Sequence, residues 1–153
     1  ELIVVSTLSR TIQTAQTGFK DLPGWPTTFV GTELCRERIS VHECDHRRTL
    51  SELKQDFPFV DFGEVKDEDD VLWTARKENE PSEMAATLCY ERADEFLAWL
   101  KNRPEKSIAV VAHWVFLKHL FTAHAADPAL SANFKNAELR TAALFAGSGK
   151  VEL

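Results

Sequence analysis

The stretch from Ser107 to Leu120 reads SIAVVAHWVFLKHL, an apolar run that ends on a histidine and continues with a helical pattern. Ile108 to Val111 has no polar alternation, as expected of a strand covered on both faces in a parallel sheet. Val115, Phe116, His119 and Leu120 then recur at helical spacing. His113 is therefore placed at a strand's C-terminal end, facing the amino end of the following helix. Ligands of open α/β sheets bind at that edge, and the free N–H groups of a helix's first turn favour anions there. A partly buried structural histidine satisfies the same pattern.

The start of the chain has the same layout. Leu2 to Val5 is a second apolar run, followed by STLSRTIQTAQTGF, in which Leu8, Ile12, Ala15 and Phe19 fall at helical spacing. Arg10 stands at this corner as His113 stands at the other. Two strand, turn and helix units imply parallel strands with helical crossovers, and so two corners on one sheet edge.

At 153 residues, 44% of them apolar, the chain reads as a single domain, 1–153, able to bury a substantial core. A net charge of −6 argues against broad nucleic-acid or membrane-surface binding. Three cysteines without framework spacing, no bilayer-length apolar run and no signal-peptide pattern predict a cytoplasmic protein with reduced thiols. The chain opens on Glu1 directly into a strand, and its one methionine is Met84, inside a predicted helix. This predicts further sequence ahead of residue 1.

After a Pro- and Gly-containing loop from Asp21 to Thr28, Phe29 to Leu34 reads as a short strand. RERISVHECDHRR follows, with Arg36, Arg38, Arg47 and Arg48 set among acids. This is either a solvated, salt-bridged loop or an anion-recognition loop, since a guanidinium matches two oxygens of a phosphate or carboxylate. On an extended segment His42, Cys44 and His46 would share one face, yet no second ligand group accompanies them, so no metal site is assigned. Thr49 and Glu52 form a capping-box pattern for a helix to about Phe57. Val60 to Glu80, with Asp67 to Asp70 in a row, reads as a solvated acidic loop anchored by Trp73. From Ser82 to Asn102, Ala85, Leu88, Cys89, Ala93, Phe96, Leu97 and Leu100 make an apolar helical stripe with Arg92 outside it, Pro81 near its start and Pro104 after its end. Ala125 to Ser131 reads as a loop. Leu139 to Ala146 reads as a last strand closed by a GSG turn.

These segments together resemble the histidine phosphatase superfamily, the phosphoglycerate mutase-like proteins. VVSTLSRTIQTA is similar to that family's first Arg corner, VVAHWVFLKHL to its second His corner, and RERISVHECDHRRTLSELKQDFPFVDF to its middle segment, with NAELRTAAL like its closing strand. The resemblance implies an α/β three-layer sandwich around a mostly parallel sheet, whose first strand and helix would precede residue 1. It also implies a phosphomonoester phosphohydrolase working through a phosphohistidine on a phosphorylated small molecule or phosphoprotein, with no cofactor. In that scheme Arg10 clamps phosphate oxygens, His113 stabilises the transferring phosphoryl group, and Glu37, with Glu33 in reserve, is the general acid. Ser6, Arg47 and Arg48 become substrate contacts.

The family's nucleophile lies in an Arg-His-Gly motif that occurs nowhere in this sequence, and is expected upstream. Thr7 replaces the usual proline, and Trp114 and Val115 replace small residues after the corner histidine, where they would crowd a phosphate. The alternative is an inactive relative that binds phosphate or serves as a scaffold. A Rossmann-type nucleotide-binding domain is disfavoured, because no G-x-G-x-x-G follows either strand.

Overall fold

The computed structural model describes residues 1–23, 29–76 and 82–144, with the backbone of 151–152. Four parallel strands form the sheet in the order β3-β2-β1-β4: β1 Leu2–Ser6, β2 Phe29–Thr32, β3 Val60–Asp61 and β4 Ile108–Val111. Between and after them come α1 (Ser9–Phe19), α2 (Leu50–Asp56), α3 (Val71–Ala75), α4 (Ser82–Lys101) and α5 (Trp114–His124). Leu2 lies opposite Ile108 and Val5 opposite Val111, so β1 and β4 end level and their corners meet.

Alternation along β1 divides the core into two layers, one on each side of the sheet. Ile3 and Val5 pack with Ile12 and Ala15 of α1, Leu53 of α2 and Phe62. Leu2 and Val4 pack with Cys89, Ala93 and Phe96 of α4 and Phe116 of α5. Gly31 in β2 has no room for a side chain, because an added Cβ would meet the Phe62 ring at 2.8 Å.

Several expectations hold. The parallel sheet and its crossover helices form as read, and the Thr49–Glu52 capping box is complete, with Glu52 accepting from the Thr49 N–H and Thr49 Oγ1 accepting from the Glu52 N–H. Others change. All of β1 is buried, but each residue of β4 is only half-buried, because among the described residues β4 has a strand on one side alone. Leu88 is exposed on the outer face of α4 and leaves the stripe. The acidic loop contains the two-residue β3 and the one-turn α3. Near the end, Ala143–Leu144 pairs antiparallel with Val151–Glu152 in a separate two-stranded sheet, so the expected strand is shorter and outside the main sheet. Pro128–Ser131 forms a 3-10 turn within the expected loop. Pro81, the GSG turn and most of the Pro/Gly loop lie outside the described residues. Among the described residues no helix is long and apolar enough to cross a membrane.

Candidate functional site

The level ends of β1 and β4 bring Ser6, Arg10 and His113 together. His113 is the N-cap of α5 with extended backbone and makes no side-chain cap, which frees its ring for the corner. The ring nitrogens face different partners: Nε2 is 2.8 Å from Ser6 Oγ, and Nδ1 is 3.0 Å from Arg10 Nη2. A guanidinium only donates, so Nδ1 accepts and the proton sits on Nε2, aimed at Ser6. Burial, and then the charges of Arg10, Arg36 and Arg92, push the imidazole down to about 3 and keep it neutral. The Thr11 hydroxyl sits 2.6 Å from Leu8 O and 2.9 Å from Ser6 O, pinning the turn from which Arg10 projects.

Glu37 is buried at the same edge. Its Oε1 accepts from the Phe116 N–H in the first turn of α5 (3.1 Å) and from the Arg38 N–H (2.9 Å), which leaves Oε2 free to carry a proton. Burial raises this carboxyl above its ordinary value, against the pull of those two N–H groups. Glu33, the reserve, is differently placed: it accepts from Thr7 Oγ1 at 2.8 Å and from Arg36 Nη1 at 2.8 Å, and pairs with Arg47 Nε at 2.8 Å. With those partners it serves as a structural acceptor. Thr7 is thus accommodated through Glu33. Trp114, at the first position of α5, is half exposed.

The arginine-rich segment folds differently from either reading. Arg36 is fully buried and grips Asp70 with two parallel bonds, Nη1 to Oδ1 at 2.7 Å and Nη2 to Oδ2 at 2.8 Å. Asp70 also accepts from the Arg47 N–H and caps α3 through the Trp73 N–H. Burial alone would raise the Asp70 carboxyl, but Arg36 and these N–H groups hold it below the usual range. The acid that ends the charged row is therefore a core anchor, while Asp67, Glu68 and Asp69 stay in solvent.

Arg47 does not meet the expectation of a substrate contact. Its Nη1 donates to the Arg48 and Glu68 carbonyls and its Nη2 to those of Asp67 and Asp69, so its terminal hydrogens all go to the chain itself. Arg48 points elsewhere, pairing with Asp56 at 2.6 Å on the wall of a separate cavity of about 520 Å³ that neither Arg10 nor His113 lines. Arg92 is turned inward and donates to the carbonyls of Arg36 and Glu37, so it fixes the acid's backbone.

Asp45 is the site residue that sequence reading missed. Its buried carboxylate pairs with Arg10 Nη2 at 2.9 Å, and its carbonyl accepts from Arg36 at 2.6 Å. Its place between a cysteine and a histidine in a mixed-charge run gave no local signal. Glu43–Asp45 is a 3-10 turn and not an extended segment, so the shared face imagined for His42, Cys44 and His46 does not form. His46 stacks on Trp73, His119 bonds the Val115 carbonyl and His124 pairs with Asp94. Burial pushes the Cys35 thiol up to about 12 and the Cys89 thiol to about 11, so neither is a ready nucleophile at neutral pH.

No family model matches the chain, and no solved structure matches it. Its relatives in Arabidopsis thaliana include "Phosphoglycerate mutase-like protein", 34% identical over 172 residues, covering 92% of this chain and 62% of the relative. "Phosphoglycerate mutase-like protein 1" is likewise 34% identical, covering 92% of this chain and 59% of its own length. This chain belongs to the phosphoglycerate mutase-like family of the histidine phosphatase superfamily. "Phosphoglycerate mutase-like protein 2" is 29% identical over 197 residues, with 56% of its length covered. The chain thus spans about three fifths of the length of these relatives. Its parallel sheet flanked by helices agrees with the α/β fold that this family implies.

Proposed function

We propose that this domain is the larger part of a phosphomonoester phosphohydrolase acting through a phosphohistidine, its nucleophile supplied by sequence ahead of residue 1. The observation that carries this reading is the meeting of Arg10 and His113 at 3.0 Å, with Ser6 and Glu37 on the same sheet edge. A histidine nitrogen attacks phosphorus, forming an N–P bond as the P–O ester bond breaks, and Glu37 gives its proton to the departing alkoxide. Water then cleaves the N–P bond to release phosphate, and the Glu37 carboxylate takes the proton from that water. Arg10 grips the equatorial oxygens and the Nε2–H of His113 supports their growing charge, so the work is positioning and electrostatics.

The substrate is a phosphorylated small molecule or phosphoprotein, and three unpaired thiols suit the cytosol. The strand of the nucleophile fits beside β4, whose outer edge has no neighbour among the described residues.

A second reading, a non-catalytic phosphate binder or scaffold, is favoured by one observation: of the chain's five histidines only His113 reaches the corner, and it is already bonded to Ser6 and Arg10. The protein expressed from its complete reading frame, exposed to a ³²P-labelled phosphomonoester, distinguishes the two. A label on histidine that is lost in His113→Ala supports catalysis. Phosphate binding without any label supports the binder.

A further inference from the structure

Arg10 has five N–H groups, and three of its hydrogen bonds are made within the chain: Nη1 to the Cys44 carbonyl, and Nη2 to both Asp45 Oδ1 and His113 Nδ1. The two terminal nitrogens, which would take two phosphate oxygens side by side, therefore face the 43–45 turn and the imidazole. The anion on Arg10 is a carboxylate of the protein itself. The turn behind it is firmly held, because Arg36 bonds the Asp45 carbonyl at 2.6 Å and is itself locked to Asp70. The Asp45 side chain has no such anchor, its carboxylate meeting only Arg10 and, at 3.8 Å, the Cys44 thiol. Arg10 is 42% exposed and so free to turn toward solvent, while Asp45 is 7% exposed.

Charge leads to the same point. The charge of Arg36 is matched by Asp70 and Glu33, and Arg92 donates to backbone carbonyls. Arg10 is then the one guanidinium whose bonds are shared with the corner histidine, and Asp45 neutralises it. A phosphate dianion placed on Arg10 would meet the Asp45 carboxylate as a like charge at close range.

Building on the assignment of Arg10 and His113 as a phosphate site, we propose that Asp45 is an internal anion that occupies Arg10 in the empty site, so that a phosphoryl group binds by displacing it. Asp45 thereby lowers the affinity for free phosphate and sets how much of a substrate's binding must come from the rest of the molecule. The bland alternative is that Asp45 holds Arg10 in its binding pose.

Orthovanadate and inorganic phosphate, titrated calorimetrically into wild type, Asp45→Asn and Arg10→Ala, separate these outcomes. Displacement predicts that Asp45→Asn binds about tenfold more tightly, from removal of one close like charge, while Arg10→Ala loses binding. Equal or weaker binding by Asp45→Asn, with wild-type binding intact, overturns the internal-anion assignment and leaves the phosphate site standing. No binding by any of the three overturns both. Hydrogen exchange on the wild type needs no variant to fold: phosphate should speed exchange at residues 43–45, and added protection there would contradict displacement.

Discussion

Two arginine-acid pairs lie in one connected network and differ in every respect that matters for function. Arg36 and Asp70 are buried and bonded twice in parallel, and both terminal nitrogens of Arg36 make further bonds, to Glu33 and to the Asp45 carbonyl. Arg10 and Asp45 make a single contact on a half-exposed guanidinium that is shared with His113. Arginine count and local charge do not distinguish the two. What distinguishes them is how many donors are committed and whether the side chain can move. The buried pair builds the platform, and the open pair is available to a ligand.

Breaking the platform should have the largest effect. Asp70→Ala leaves the buried Arg36 charge without its main partner and uncaps α3, a loss of about 3 to 5 kcal/mol in urea unfolding. A loss below about 1 kcal/mol would mean that Glu33 alone suffices and that the two pairs differ less than the geometry indicates. Arg10→Ala should lower vanadate affinity by roughly 2 to 3 kcal/mol and, because it leaves the Asp45 carboxylate without its partner, lower the unfolding midpoint by less than Asp70→Ala does. If stability falls as far as in Asp70→Ala and affinity holds, the roles of the two arginines are reversed.

The corner also has a signature in pH. His113 is pushed down to about 3 in the folded protein from an ordinary 6.5, so between those values the unfolded chain holds the extra proton. Its stabilising contribution is complete above about pH 6.5 and declines as pH falls, by at most roughly 1.4 kcal/mol per pH unit. Asp70, held below the usual carboxylate range, adds a loss of the same sign at the acid end. Stability of His113→Gln between about pH 6 and 4.5 should slope less than wild type, with Asp70 unchanged. Parallel profiles would show that the imidazole is not buried neutral. The smallest effect is expected of Arg48→Ala, which removes a surface pair and should leave vanadate affinity within about twofold of wild type.

The corners were legible because their signals are local: an apolar run, then helical spacing, with one basic residue at each change of pattern. The resemblance to the family drew on those corners together with the middle segment and the last stretch of the chain. The loop between β2 and α4 was not legible in this way. Arg36 meets Asp70 across 34 residues and Arg10 meets Asp45 across 35. Nothing in the row Asp67 to Asp70 marks the last acid as the one that turns inward. Arg47 illustrates the same limit, since a guanidinium that binds phosphate and one that binds four carbonyls are the same letter in the sequence. The half-burial of β4 has a different reason: its residues suit a central strand, and burial depends on neighbours that a single stretch does not specify.

The most direct test of the corner as a phosphate site is the imidazole ¹⁵N spectrum of His113 at neutral pH, with and without inorganic phosphate. The geometry predicts a neutral ring protonated on Nε2. Added phosphate should shift both nitrogens as Arg10 turns to the anion, and should leave them unmoved in Arg10→Ala. A His113 spectrum unchanged at every phosphate concentration the protein tolerates would contradict the account and return this histidine to a structural role.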